Sequence, residues 1–174
     1  NEKLMLDPPT NASGHISDDF YTPVIRKDKM PLSVAYIDLN LAPLSFQNYG
    51  NTFALDANNF QVVFKRELEQ HFKRMTTQNA ADITCYPTLK ITLSATEKRC
   101  QLYFLALFKD KGGRDVQWVH YADTLDIVSD KTKLDELATD LTEKAFADMI
   151  RRTGWLMHQT EFRSRFENIV PDNF

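Results

Sequence analysis

No apolar run in this 174-residue sequence approaches the roughly 18 residues that a membrane-crossing helix requires. No secretion signal is present either. Two cysteines are too few for a disulfide framework or a structural zinc site. An excess of one charge is also missing, because 21 Lys and Arg against 24 Asp and Glu leave only −3. That balance gives no global attraction to nucleic acid or to an anionic membrane. Signatures of catalysis are absent: no GxSxG, no Walker glycine loop, no GxGxxG and no HExxH. The four histidines (His15, His71, His120 and His158) lie far from cysteine at zinc spacing. No metal or cofactor is expected.

What is present is an ordinary globular composition, 43% hydrophobic and 26% charged, on a length that suits one domain. Residues 1–32 read as an irregular arm, broken by Pro8, Pro9, Pro23 and Pro31. Residues 33–154 read as a single α+β domain and 155–174 as an aromatic tail, expected to dock as a short helix. The start at Asn1 rather than Met implies a trimmed natural N-terminus.

Within the domain, Ala35, Ile37, Leu39 and Leu41 alternate as a strand, and a polar loop with Asn48, Gly50 and Asn51 follows. Phe60, Val63, Phe64, Leu68, Phe72 and Met75 recur at helical spacing, which predicts a helix over 57–76. Ile83 to Leu93 alternates with threonines on the other face, and Pro87 predicts an edge or bulge near its start. Further strands run from Cys100 to Lys109 and from Val116 to Val128, joined by a two-residue loop at Gly112-Gly113. A second helix is expected over 131–153, ended by Gly154. The expected architecture is an antiparallel sheet of about four strands with two amphipathic helices on one face, in the order β-α-β-β-β-α.

The register follows from the turns. Centring the first between Thr96 and Glu97 sets Leu93 against Cys100, Ile91 against Leu102 and Leu89 against Phe104. Centring the second between the glycines sets Ala106 against Val119, Phe104 against Tyr121 and Cys100 against Leu125. One apolar face results, with Asp123 as its only misfit. Cys85 and Cys100 then lie about eight ladder positions apart, roughly 26 Å, too far for a disulfide.

His71 pairs naturally with Glu67 one turn earlier, and His120 falls on the outer sheet face. Asp135, Glu136, Asp140 and Glu143 read as a solvated helix side. The basic doublets Lys65-Arg66, Lys73-Arg74 and Arg151-Arg152 have acids nearby, and no exposed aromatics interleave with them to stack bases. The feature above background is the outer face, where the register gathers Tyr86, Tyr103, Leu105, Leu107, Val116 and Trp118. Such a patch is covered by the chain's own arm or tail, or it docks another protein or an identical subunit. Trp155 in the tail is a further candidate contact.

The stretch Leu4-Met5-Leu6-Asp7-Pro8, the helix segment Phe64-Lys65-Arg66-Glu67-Leu68, the meander and the closing Phe146-Ala147-Asp148-Met149 together resemble the YajG-type family of bacterial outer-membrane lipoproteins. The lipopolysaccharide-assembly and intermembrane-transport auxiliary lipoproteins are similar at a greater distance. The lipid-bearing cysteine of such a family is not among these residues, so any membrane attachment is expected through an anchor outside this chain. The resemblance implies a periplasmic, non-catalytic role in envelope assembly, secretion or transport, with another envelope protein or a homo-oligomer as partner. The alternative is a small-ligand or lipid carrier holding its ligand between helices and sheet. Phe60, Phe64, Phe72, Phe104 and Phe108 speak against it by filling that space. An enzyme is the least supported class, and no nucleic-acid partner is expected.

Overall fold

The computed structural model describes residues 28–42, 44–46, 52–53, 57–94 and 96–171. The arm up to residue 27 and the polar loop around Asn48, Gly50 and Asn51 lie outside them. In chain order the elements are β1 (Met30–Tyr36), β2 (Asn40–Leu41), β3 (Leu44–Phe46), β4 (Thr52–Phe53), α1 (Asn58–Glu69) and β5 (Phe72–Met75). They continue with β6 (Ile83–Ser94), β7 (Arg99–Asp110), β8 (Asp115–Asp126), α2 (Leu134–Met157) and α3 (Thr160–Ser164).

The meander forms in the register set by its turns. Leu93 faces Cys100, Ile91 faces Leu102 and Leu89 faces Phe104 across β6 and β7. Ala106 faces Val119, Phe104 faces Tyr121 and Cys100 faces Leu125 across β7 and β8. Cys85 and Cys100 are buried free thiols, and burial pushes the pKa of each well above the ordinary thiol range. Asp123 pairs with Leu102 in regular register, so it marks neither a bulge nor a slip. Its carboxylate accepts from the Tyr121 hydroxyl at 3.2 Å and from the Thr124 N–H at 2.8 Å.

The sheet itself differs from expectation. It is mixed and eight-stranded rather than a four-stranded antiparallel one. β1, β2 and β3 lie end to end along one side of β6, all parallel to it, opposite residues 83–85, 88–89 and 92–93. β5 adds parallel to β1 and β4 antiparallel to β3. The parallel pairing has a simple cause: α1 lies between β1 and β6 in the chain, and a crossover helix returns the next strand in the same direction.

The first helix stops at Glu69 rather than 76. Phe72 and Met75 keep the helical spacing by coincidence, but they lie on β5, whose ladder to Met30 and Val34 replaces the helical bonds. α2 in turn runs through Gly154 to Met157. Gly154 is a close-approach glycine and not a stop, since a Cβ there would lie 2.7 Å from Glu67 Cδ. The Gly112-Gly113 hairpin is looser than two residues. Asp110 N–H bonds to Arg114 O, Gly113 N–H bonds to Asp110 O, and Gly113 takes the left-handed φ of 79° that such a loop needs. The slip this causes falls between Phe108 and Lys109, opposite Val116.

Both long helices cover one face. Phe60 and Phe64 of α1 meet Phe104 edge-on, and Phe60 packs on Phe146 of α2 at 4.9 Å. The tail joins the same layer, as the tail reading expected: Phe162 and Phe166 are buried against Phe72 and Phe108.

Candidate functional site

The outer face of the meander carries the candidate patch because even positions of β6 and β8 and odd positions of β7 point away from the helices. Leu107 sits opposite both Tyr86 and Trp118, Leu105 opposite Thr88 and His120, and Tyr103 opposite Lys90 and Ala122. Trp118 is 51% exposed and Tyr103 41%, whereas Tyr86, Leu105 and Leu107 are half-buried. Polar contacts brace the aromatics. Gln78 donates to the Tyr86 hydroxyl at 3.1 Å, Lys109 stands over the Tyr86 ring, and His120 meets Tyr103 edge-on at 5.1 Å.

Val116 is not part of this patch. The hairpin slip rotates it, and it packs half-buried against the core instead. Trp155 lies on α2, not in a tail, and is 36% exposed. It joins Trp118 only at the free side of β8, where both line an open groove of about 660 Å³ with His120, Leu156 and Arg165. The tail lies on the helix side, so it does not cover the outer patch.

Two polar clusters escaped the sequence reading in whole or in part. His71, expected at a boundary, is fully buried, and its Nε2 lies 2.6 Å from Glu67 Oε2, with the His158 ring 6.5 Å away. Only the His71–Glu67 pairing was legible, from the i, i+4 spacing. The second cluster joins β8 to α2: Tyr121 donates to Asp148 Oδ2 at 2.8 Å, and Arg152 Nε lies 3.3 Å from the same oxygen while its guanidinium stacks over the Tyr121 ring. Burial, and then the Asp148 charge, push the Tyr121 pKa far above that of a free phenol. Tyr121 is therefore a neutral donor holding helix to sheet. Asp140, expected to be solvated, is buried beside Lys144 at 3.3 Å. Among the doublets, Lys65 stands over Tyr36 and Arg152 pairs with Asp148, whereas Lys73 and Arg74 are exposed on β5.

Among the described residues no helix is long and apolar enough to cross a membrane, and no group of three or more His, Cys, Asp or Glu is arranged to hold a metal ion.

No protein-family model matches the chain, and no curated protein is similar to it. Among solved structures, it is similar to the crystal structure of protein XCC0632 from Xanthomonas campestris, of the family DUF330, with a TM-score of 0.51 and 10% identity. That likeness covers 83% of this chain and 96% of the other. A crystal structure of an uncharacterized protein is similar at a TM-score of 0.46 and 9% identity, over 76% of this chain and 95% of that one. At such identities the DUF330 protein shares a fold with this chain, and nothing about activity follows.

Proposed function

We propose that this protein is a non-catalytic accessory of the bacterial cell envelope, periplasmic, which works by docking another envelope protein on the outer face of its sheet. The observation that carries the reading is the row Tyr86, Leu107 and Trp118 with neighbouring Tyr103 and Leu105, an aromatic and aliphatic surface that, among the described residues, neither helices nor tail cover. Exposed Trp and Tyr beside half-buried Leu are the composition of interface centres. The resemblance of its sequence to YajG-type lipoproteins is what suggests the envelope setting, and any membrane attachment would come through an anchor outside the residues described.

The buried clusters support a non-catalytic reading. His71–Glu67 and Tyr121–Asp148–Arg152 are paired internally, with His71 and Asp148 shut away from any substrate. A lipid carrier is disfavoured because Phe60, Phe64, Phe72, Phe104 and Phe108 are all fully buried between sheet and helices. The test is a photo-crosslinking residue at Leu107 or Tyr103 in living bacteria, with the products identified by mass spectrometry. The reading predicts one dominant envelope protein, lost with Trp118→Asp at unchanged stability. Crosslinks to cytosolic proteins, or none, would refute it.

A further inference from the structure

Among the described residues β8 pairs only with β7, so its other side is a sheet edge to which no described strand is bonded. The direction of its backbone groups can be worked out. Ile127 N–H bonds to Lys98 O, so odd positions of β8 turn toward β7. Trp118, His120, Ala122 and Thr124 turn their N–H and C=O groups outward. Two of these donors are taken by the preceding side chain: Trp118 N–H by Gln117 Oε1 at 2.9 Å and Thr124 N–H by Asp123 Oδ1 at 2.8 Å. Between them, among the described residues, His120 and Ala122 hold an open ladder.

Edges are normally blunted by bulges and inward charges. This one has both, the slip at Val116 and the carboxylate of Asp123, but they bracket the stretch from Gln117 to Ala122 without interrupting it. Beside that stretch lies the groove between Trp118 and Trp155, the two tryptophans of the chain.

We infer that this edge of β8 binds an extended segment of another polypeptide, which adds a strand along 118–124 and seats an apolar side chain between Trp118 and Trp155. A row of alternating outward N–H and C=O groups matches another backbone, and a pocket beside it selects a side chain. Charge narrows the partner further. Gln117 to Ala122 contains no Asp, Glu, Lys or Arg, whereas Asp123 follows it directly; Asp115 and Asp126 lie further out, paired with Lys109 at 3.4 Å and Arg99 at 2.8 Å. The segment is thus uncharged at its centre, with a basic residue at the end that meets Asp123. A second copy of β8 running antiparallel would set its Asp115 beside the 123–126 acids of the first, so the charges oppose self-pairing. The inference goes beyond the outer-face reading. The two surfaces share Trp118 and His120, and one can fail without the other.

The probe is a fluorescein-labelled synthetic peptide, Lys-Val-Thr-Trp-Thr-Val-Lys, with a Glu-ended version and a version carrying central proline as controls. Binding is read by anisotropy on the full chain. Ala122→Pro removes one outward N–H and no bond to β7, and edge strands tolerate proline there. It should weaken the Lys-ended peptide by about tenfold or more, as should Trp155→Ser, whereas Leu107→Asp should leave it unchanged. Amide exchange at His120 and Ala122 in the unaltered protein should slow on binding, a readout that does not depend on any variant folding. Equal binding of the proline control, unaltered affinity in Ala122→Pro, or no added protection at those two amides would overturn the inference. So would a wild-type dimer that Ala122→Pro converts to monomer, since the edge would then belong to a second copy.

Discussion

Replacing Gly154 by alanine sets two sizeable effects against each other. Within a helix alanine is favoured over glycine by about 1 kcal/mol, and Gly154 lies in the last turn of α2. On its own, that effect makes the substitution stabilising. The added methyl, however, would sit 2.7 Å from Glu67 Cδ, 2.8 Å from Oε2 and 3.0 Å from Oε1. A carboxylate normally swings aside at little cost. This one is held, because its Oε2 lies 2.6 Å from Nε2 of a histidine with no exposed surface. Displacing it breaks a buried bond to a charged group, a loss of about 1.5–3 kcal/mol. The net result expected for Gly154→Ala is a destabilisation of about 0.5–2 kcal/mol, a fall in Tm of about 1–8 °C. In a Glu67→Ala background the obstacle is gone and the same change should stabilise by about 1 kcal/mol. A double-mutant cycle by urea denaturation, followed by near-UV circular dichroism, should therefore give a coupling of about 1.5–3 kcal/mol between the two positions. If Gly154→Ala stabilises both backgrounds equally, Glu67 is free to move and the helix–helix contact described above is wrong.

Three further outcomes follow from the packing and the charges. Phe166→Ala empties the ring cluster of Phe72, Phe108 and Phe162 and should cost about 3–5 kcal/mol in urea unfolding; a cost below about 1 kcal/mol would mean the tail does not dock. Tyr121 keeps its proton in the folded state far above the ordinary phenol range, through burial first and Asp148 second. Since the folded form holds that proton more tightly, stability should decline as pH rises through about 10, where the unfolded phenol ionises, and ultraviolet titration should show Tyr121 silent until unfolding. Asp110 is held below the usual carboxylate range, first by the Arg114 backbone N–H and also by its guanidinium and Gly112 N–H. Its contribution is complete above about pH 4 and is lost as pH falls through the lower folded value, which a carboxyl-carbon NMR titration against Asp110→Ala would show.

The meander was legible because its evidence is local. Period-two alternation and two short turns determine every cross-strand pair from Ile83 to Asp126, and even the hairpin slip moves only the last pair before the loop. That slip was enough to misplace Val116, because at a bulge one extra residue turns a side chain to the other face. β5 was not legible, since Phe72 and Met75 continue the spacing of Phe64 and Leu68 and nothing local separates the two periods. The partner of β1 was out of reach for a different reason: Val34 and Ile83 are joined by a crossover that leaves no mark on either segment. For Trp155 a signal did exist. Ile150 and Met157, both buried, continue the apolar stripe of α2 past Gly154, so the glycine lies within the helical period rather than at its end. Gln117, whose amide donates to the Glu161 and Phe162 carbonyls and so ties β8 to α3, has no sequence signature at all.

Pro87 shows how a rule can hold while the conclusion drawn from it fails. A proline lacks a ladder donor, which predicts an edge or a bulge near the start of β6. β6 instead has neighbours on both sides. Cys85 and Leu89 give their carbonyls to Ile37 and Ala42, so odd positions of β6, Pro87 among them, face the β1–β3 side. On that side β1 ends opposite Cys85 and β2 begins opposite Thr88. The missing donor of Pro87 therefore points into the gap between β1 and β2, where Leu39 N–H bonds to Gln61 Oε1 on α1 and not to the sheet. Toward β7 the even positions carry the ladder, and Pro87 stays in regular register with Ala106. The break between β1 and β2 is thus the structural counterpart of a single residue in the next strand, and it lets a broken strand run the length of β6 while leaving the meander intact.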